Sequence, residues 1–144
     1  MTGMTRRLLL AGASVLQLAS ATCALHYAVE RGIAVHAAGL HRRGRDVPKD
    51  SWFLGTGITP PIAMMTVQAV ATTVLARRPS NAAALTLGML GATMVCGYAI
   101  EAEARAALTP RSWDARVTPL TAAGIALALP TVGLGLRRRP GRTA

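Results

Sequence analysis

An apolar run of eighteen residues at positions 8–25, interrupted only by Gln17, constrains the fold more than any other feature of the chain. A helix needs about twenty predominantly apolar residues to cross a bilayer. Three further apolar runs follow, and the 144 residues are 51% hydrophobic and only 15% charged. This composition is typical of a membrane protein rather than a soluble one. We therefore expect an all-α integral membrane protein, an up-down bundle of four transmembrane helices.

The first run is also compatible with an export signal. Arg6 and Arg7 precede three leucines in the manner of a twin-arginine signal, and the sequence ASA at 19–21 offers a cleavage site. However, the run exceeds the usual signal core, reaches the length of a span, and is followed by more apolar segments. We interpret it as an uncleaved first helix, although the sequence alone leaves removal of residues 1–21 open.

The whole chain, residues 1–144, is expected to form a single membrane domain. The four spans are predicted at about 8–27, 61–76, 82–100 and 117–136, and the outer loop 28–60 is expected to be partly helical. The connection between the second and third spans is so short that these spans must be antiparallel neighbours.

The arginines predict the orientation of the bundle. With the N-terminus inside, the inner and outer segments hold equal numbers of basic residues, but the inner ones lie directly beside helix ends, where the positive-inside rule weighs most. The inner basic residues, with no acidic residue among them, are Arg6, Arg7, Arg77, Arg78, Arg137, Arg138, Arg139 and Arg142. We expect both termini on the cytoplasmic side of the inner (plasma) membrane. Since Lys49 is the only lysine, the composition also favours a bacterium with a GC-rich genome.

Two patterns inside the spans predict helix packing. The third span carries small residues at four-residue spacing, Ala84, Gly88, Ala92 and Cys96, which would allow another helix to approach closely. Gln17 and Gln68 lie near the middle of their spans. Because an unpartnered amide is costly in hydrocarbon, we expect these two side chains to hydrogen-bond across helices.

The two cysteines, Cys23 and Cys96, lie at similar depths in the first and third spans. In an up-down bundle these spans tend to be diagonal, which is too far apart for a disulfide. We expect two buried small hydrophobic side chains, and the sequence leaves pairing open.

One group of residues suggests chemistry at the outer ends of the helices. His26 and Glu30 share a helix face with Cys23, and Glu101 and Glu103 follow the third span. A histidine and carboxylates that meet at a membrane mouth can exchange protons or act as acid and base. The spacing of His26 and Glu30 is equally typical of a helix-stabilising pair. No metal-ligand spacing is present, so we expect neither a metal nor another cofactor.

These observations favour a non-enzymatic structural or interaction module over two alternatives. Its expected partners are the lipid bilayer, a second copy of the chain or another membrane protein. Nucleic acid is excluded as a partner because the basic residues flank apolar runs without interleaved aromatics. A small transporter is disfavoured because no acidic residue lies deep within a span. An outer-leaflet membrane enzyme would require His26, Glu30 and Glu101 to converge. The sequence names no substrate, partner or oligomeric state.

Overall fold

The computed structural model describes residues 3–34, 36–37, 40–41 and 47–137, and this part of the chain is almost entirely helical. Its helices are α1 (Gly3–Arg31), α2 (Val47–Asp50), α3 (Ile62–Arg77), α4 (Asn81–Ile100), α5 (Ala102–Ala107) and α6 (Val117–Gly135). A two-residue antiparallel pair, β1 (His36–Ala37) with β2 (Leu40–His41), and a 3-10 turn at Pro110–Ser112 accompany them. The predicted all-α class is confirmed.

Three helices, α1, α4 and α6, are long and apolar enough to cross a membrane, which indicates a membrane protein. The fourth apolar helix, α3, has 16 residues. At 29 residues, α1 is longer than the predicted span 8–27. It ends where Gly32 adopts a positive φ of 65° and the N–H of Ile33 reaches back to the Ala28 carbonyl at 2.9 Å. A left-handed glycine of this kind commonly terminates a helix.

The four long helices pack side by side in a ring. In this ring α1 contacts α3 and α6, and α4 contacts the same two helices from the opposite side. Helices α1 and α4 are therefore diagonal, as the connectivity predicts. The turn between α3 and α4 is closed by Ser80, whose hydroxyl accepts a hydrogen bond from the Ala83 N–H at 3.1 Å and caps α4.

The two ends of this ring differ in charge. We call one the arginine end; its described basic residues are Arg6, Arg7, Arg77, Arg78 and Arg137. We call the other the carboxylate end; its described acidic side chains are Glu30, Glu101, Glu103 and Asp114. The remaining arginines expected at the inner side, Arg138, Arg139 and Arg142, lie outside the described residues.

The interior has three layers along the helix axes. An apolar cluster around Leu10, Leu75 and Leu87 fills the arginine end, and a second one around Ala28 and Ile58 fills the carboxylate end. Between them lies a buried polar layer, which consists of Ser14, Gln17, Gln68 and Thr72. The layering follows from the sequence, since these polar residues occupy the central turns of α1 and α3.

Helices α4 and α6 touch backbone to backbone at two glycines. A Cβ atom added to Gly135 would lie 2.5 Å from the Cα of Gly88, and one added to Gly88 would lie 2.8 Å from the Leu136 nitrogen. One turn further along α4, a Cβ on Gly91 would collide with the hydroxyl of Thr131. Small residues permit this approach, and in lipid close van der Waals packing is a principal source of helix association.

The predicted packing face of α4 coincides only in part with this contact. Ala84 and Gly88 are buried, but the contact continues at Gly91, while Ala92 is half-buried and Cys96 is exposed. Residues four apart advance by about 400° on a helix of 3.6 residues per turn, so a strict four-residue row rotates away from a straight partner. The row therefore turns outward before it reaches Cys96.

Arg6 ties the start of α1 to the end of α6. Its Nε donates a hydrogen bond to the Leu134 carbonyl at 2.7 Å, and Nη2 donates to the Arg137 carbonyl at 2.9 Å. The last carbonyls of a helix have no partner within the helix and carry partial negative charge. Arg6 thus caps α6 and holds the two ends of the described chain together.

The glycine contact predicts opposite effects for two neighbouring substitutions in α6. Gly135→Ala should lower the melting temperature in detergent, equivalent to about 1–3 kcal/mol, because its methyl group has no room against Gly88. Gly133→Ala is the matched control: a Cβ there meets nothing within 4 Å, and alanine favours the helix by about 0.5–1 kcal/mol. Equal melting of the two variants would contradict the contact.

Candidate functional site

The polar layer is a directed chain of hydrogen bonds. Gln68 donates through Nε2 to Gln17 Oε1 and to Ser14 Oγ, both at 3.1 Å. The Thr72 hydroxyl donates to the backbone carbonyl of Gln68 at 2.7 Å, so at the 2.7 Å contact between Ser14 and Thr72 it is Ser14 that donates. Gln17 in turn donates to the Met94 sulfur at 2.9 Å. Since each hydroxyl has one proton, this assignment is self-consistent.

This chain connects α1 to α3 and, through Met94, to α4. The sequence predicts hydrogen bonds between helices for Gln17 and Gln68, and the structure has the two amides bonded directly to each other. Two buried acceptors, Gln68 Oε1 and the Thr121 hydroxyl, have no hydrogen-bond partner within the described part of the chain. The hydrogen bonds of the polar layer fix the orientation of α1, α3 and α4 relative to one another.

The first part of the predicted acid-base cluster is an exposed ion pair on α1. His26 Nε2 lies 3.3 Å from Glu30 Oε1, and the two side chains are 77% and 58% exposed. They line an open groove between α1 and α6. Tyr27 lines the same groove, and the guanidinium groups of Arg31 and Arg116 lie 5.5 and 5.9 Å from the centre of its ring. This geometry is that of a surface helix pair with neighbouring cation–π contacts.

Glu101 occupies a different environment. It lies between α4 and α5, is only 7% exposed, and lines a cavity of about 250 Å³. Its lining also includes Leu54, residues 56–61, Met64 at the start of α3 and Tyr98 one turn before Glu101. A single carboxylate in a largely apolar cavity is a suitable recognition site for a small molecule.

A buried loop segment separates the two groups of acid-base residues. We call residues 55–61 the plug segment because its side chains fill the carboxylate end of the ring; Ile58 is fully buried against Ala24 and Ala28 of α1. Glu101 therefore lies on the α4 side of the plug segment, and His26 and Glu30 lie on the α1–α6 side. The structure does not bring the three predicted residues into one site.

The plug segment satisfies its own backbone. Thr56 and Thr59 exchange backbone hydrogen bonds of 3.1 and 3.4 Å, and their hydroxyl oxygens lie 2.8 Å apart. Gly55 has a φ of 80°, and a Cβ there would lie 2.5 Å from the Thr59 carbonyl oxygen. Buried irregular backbone is stable only when its polar groups are paired. The sequence predicts an outer loop over most of this segment, and its glycines and prolines, GTGITPP, are a signal of a compact turn.

Glu103, on α5, packs onto the plug segment at Gly57. Its Cβ and Cγ atoms lie 3.1 Å from the position that a Cβ on Gly57 would take. The predicted site residue Glu103 is thus a neighbour of the cavity wall. It is absent from the groove that holds His26.

Asp114, which the sequence analysis did not single out, caps α6. Its carboxylate accepts hydrogen bonds from the backbone N–H groups of Arg116 at 2.7 Å and Val117 at 2.8 Å. These bonds hold the pKa of the Asp114 carboxyl below its usual range, since they favour the charged form. An aspartate three residues before an apolar run was the sequence signal for this cap.

Both cysteines have free thiols and lie on exposed faces of their helices, which differs from the expected burial. Cys23 lines the groove beside His26. Among the described residues, no group of three or more His, Cys, Asp or Glu side chains is arranged to hold a metal ion.

No protein-family model matches the chain, and neither does any curated protein or solved structure.

The hydrogen bond between Gln17 and Gln68 predicts a measurable coupling. A double-mutant cycle of Gln17→Leu and Gln68→Leu should give an interaction energy of about 0.6–1.7 kcal/mol, the range for hydrogen bonds between membrane helices. The measurement is reversible unfolding in mixed micelles. Thr93→Val paired with Gln68→Leu is the control, because the Thr93 hydroxyl donates to the Met89 carbonyl of its own helix. Additive energies in the Gln17–Gln68 cycle would show that the bond contributes nothing.

Proposed function

We propose that the chain crosses the membrane four times, with α3 as the additional span. The contact of Arg6 with the end of α6 supports this, because a start and an end on the same side require an even number of crossings. Alone, the 16 residues of α3 extend about 24 Å, short of the roughly 30 Å hydrocarbon core. The buried plug segment precedes α3 and supplies the remaining depth, and irregular backbone is tolerated there because protein surrounds it.

In this proposal the arginine end faces the cytoplasm, so that the N- and C-termini are both inside. The support is the positive-inside rule: Arg6, Arg7, Arg77 and Arg78 lie next to helix ends in short segments. At the opposite end Trp52, Phe53 and Trp113 are exposed, as interfacial aromatic residues are.

Reporter fusions test the four crossings. Alkaline phosphatase, which is active only after export, should be inactive when fused after Pro79 or at the C-terminus and active when fused after Arg111. A fluorescent protein at the C-terminus should fold and fluoresce. Phosphatase activity in the Pro79 fusion together with an inactive Arg111 fusion would show that α3 does not cross.

The protein, in our proposal, acts by binding rather than by catalysis, and it is a non-enzymatic interaction module. Its recognition site is the cavity beside Glu101. The single observation that carries this is a nearly buried carboxylate in a cavity of about 250 Å³ whose other walls are mostly apolar. Such a cavity suits a small amphipathic ligand, with an apolar body against Met64 and Ile58 and a cationic or hydrogen-bond-donating group toward Glu101.

The positions of the other candidate groups favour binding over the enzymatic alternative. A general acid or base must be within hydrogen-bond reach of the same reacting group. His26 and Glu30 bond to each other at the surface of a separate groove, and Asp114 is committed to the α6 cap. Of the predicted cluster, Glu101 lines the cavity and Glu103 packs against Gly57 in its wall, whereas His26 lies in the other groove.

A charged and an uncharged probe of equal shape test the site. n-Butylammonium should raise the melting temperature of the purified protein more than n-butanol does. Glu101→Gln should weaken n-butylammonium binding about tenfold or more, because a charge-assisted hydrogen bond contributes about 1.5–3 kcal/mol. Glu30→Gln is the control, since its carboxylate lies in the other groove. Equal loss in both variants, or none in Glu101→Gln, would contradict the proposed site.

A further inference from the structure

A second cavity lies at the arginine end, between the start of α1 and the turn that joins α3 to α4. It has a volume of about 140 Å³. Its polar lining comes from Arg6, Arg7, Ser80 and Asn81, and its apolar lining includes Leu10 and Leu75. Basic groups thus form one wall of the cavity, and its floor is continuous with the apolar core cluster.

Arg7 is the unusual member of this cavity. Its Nε atom is buried and has no hydrogen-bond partner among the described residues. The neighbouring Arg6 differs, since its guanidinium is used by the carbonyls at the end of α6. An arginine carries its charge at every accessible pH and offers five N–H donors, so a half-buried guanidinium needs an acceptor.

No carboxylate side chain is among the described residues that line this cavity. Its six acidic residues lie at positions 30, 46, 50, 101, 103 and 114, so that residues 1–29, 51–100 and 115–144 contain no Asp or Glu. The helices place the described acidic side chains at the opposite end of the ring. None of the described acidic side chains therefore supplies a counter-charge to Arg7.

The position of the cavity indicates the chemistry of that counter-charge. It lies at the ends of helices that are long enough to cross a membrane, and the ends of such helices meet the lipid headgroups when they span a bilayer. A phosphate oxygen matches the planar fork of a guanidinium. The start of α4, with Ser80 and Asn81 at the cavity, adds the positive end of a helix dipole. Leu10 and Leu75 offer an apolar surface for the carbon atoms that follow the phosphate of a lipid.

We propose that this cavity binds the phosphate group of an anionic phospholipid, with the Arg7 guanidinium as its principal ligand. The bound lipid is a structural partner that supplies the charge the arginine end lacks. It connects α1 to the α3–α4 turn, since its phosphate contacts Arg7 from one side and the start of α4 from the other.

Lipid titration of the purified full-length protein in a phosphate-free maltoside detergent tests the proposal. Binding of phosphatidylglycerol, measured by native mass spectrometry and by the shift in melting temperature, should exceed that of phosphatidylcholine. Arg7→Gln should weaken phosphatidylglycerol binding about tenfold or more. Arg77→Gln is the matched control, because Arg77 is exposed at the same end and does not line the cavity. Equal binding by these two variants would overturn the assignment to Arg7.

Inorganic phosphate distinguishes the two sources of a phosphate group. If it stabilises the protein as strongly as phosphatidylglycerol at equal concentration, the site is one for free phosphate and the lipid proposal is wrong. A much smaller effect of inorganic phosphate supports the lipid.

A second variant keeps the test informative if Arg7→Gln does not fold. Asn81→Asp places a carboxylate at the cavity and at the first position of α4, where negative charge favours a helix. This variant should fold at least as stably as the natural chain, yet bind phosphatidylglycerol about tenfold more weakly, because its own carboxylate replaces the phosphate. Undiminished binding in Asn81→Asp would overturn the proposal.

Discussion

The backbone contact between Gly88 and Gly135 determines how the rest of the structure is arranged. Between helices in lipid there is little hydrophobic driving force, so closely fitting surfaces must hold them together. The two glycines bring α4 and α6 closer than any side chain would permit. Further along the same two helices, Gly91 contacts Ala128 and Thr131, and Gly124 lies against the hydroxyl end of the Tyr98 ring. Tyr98 in turn forms part of the cavity wall beside Glu101. The packing of α4 against α6 at the arginine end therefore affects the shape of the cavity at the carboxylate end.

The interface between α1 and α3, on the opposite side of the ring, is held by hydrogen bonds, whereas close glycine contacts hold the interface between α4 and α6. We call these two helix interfaces the two seams. Ser14, Gln17, Gln68 and Thr72 are all buried, and each bond has a defined direction. Such bonds contribute little net stability in a membrane, because helices that are separated also find polar partners. Their effect is on specificity: a rotation of α3 or a shift along its axis would break several bonds at once and leave polar atoms unpaired in the interior. The two seams together leave one arrangement of the four helices.

The sequence predicts the features of this fold that depend on local patterns and misses those that depend on distant contacts. Apolar runs identify α1, α3, α4 and α6 within a few residues, since a span is visible in the sequence itself. The expectation that Gln17 and Gln68 hydrogen-bond across helices follows from the cost of an unpartnered amide, whereas their bond to each other is known only from the structure. The plug segment is not predictable in the same way, because Ile58 becomes a core residue only when α1 and α6 lie on either side of it.

The candidate site illustrates the same limit. Helical spacing places His26 beside Glu30 on α1, and the observed pair has that local geometry. Whether Glu101 joins them depends on what lies between two diagonal helices, and no local pattern contains that information. Arg6 is a further example: a basic residue beside an apolar run is interpreted as a topology signal, whereas its hydrogen bonds to the end of α6 depend on the packing of the first and last helices.

Charge is balanced differently at the two ends of the molecule. This difference bears both on the orientation in the membrane and on the lipids that the protein binds. At the carboxylate end the protein uses its own groups: Arg31 and Arg116 lie over the Tyr27 ring, and Asp114 caps α6. At the arginine end helix carbonyls accept the hydrogen bonds of Arg6, but no acidic side chain is within the nearby sequence to balance Arg7. An end with excess positive charge is stable where anions are abundant, as they are at the negatively charged cytoplasmic leaflet. Arg7 is thus part of both arguments: it belongs to the arginines that favour an inward orientation, and its guanidinium favours a bound anionic lipid.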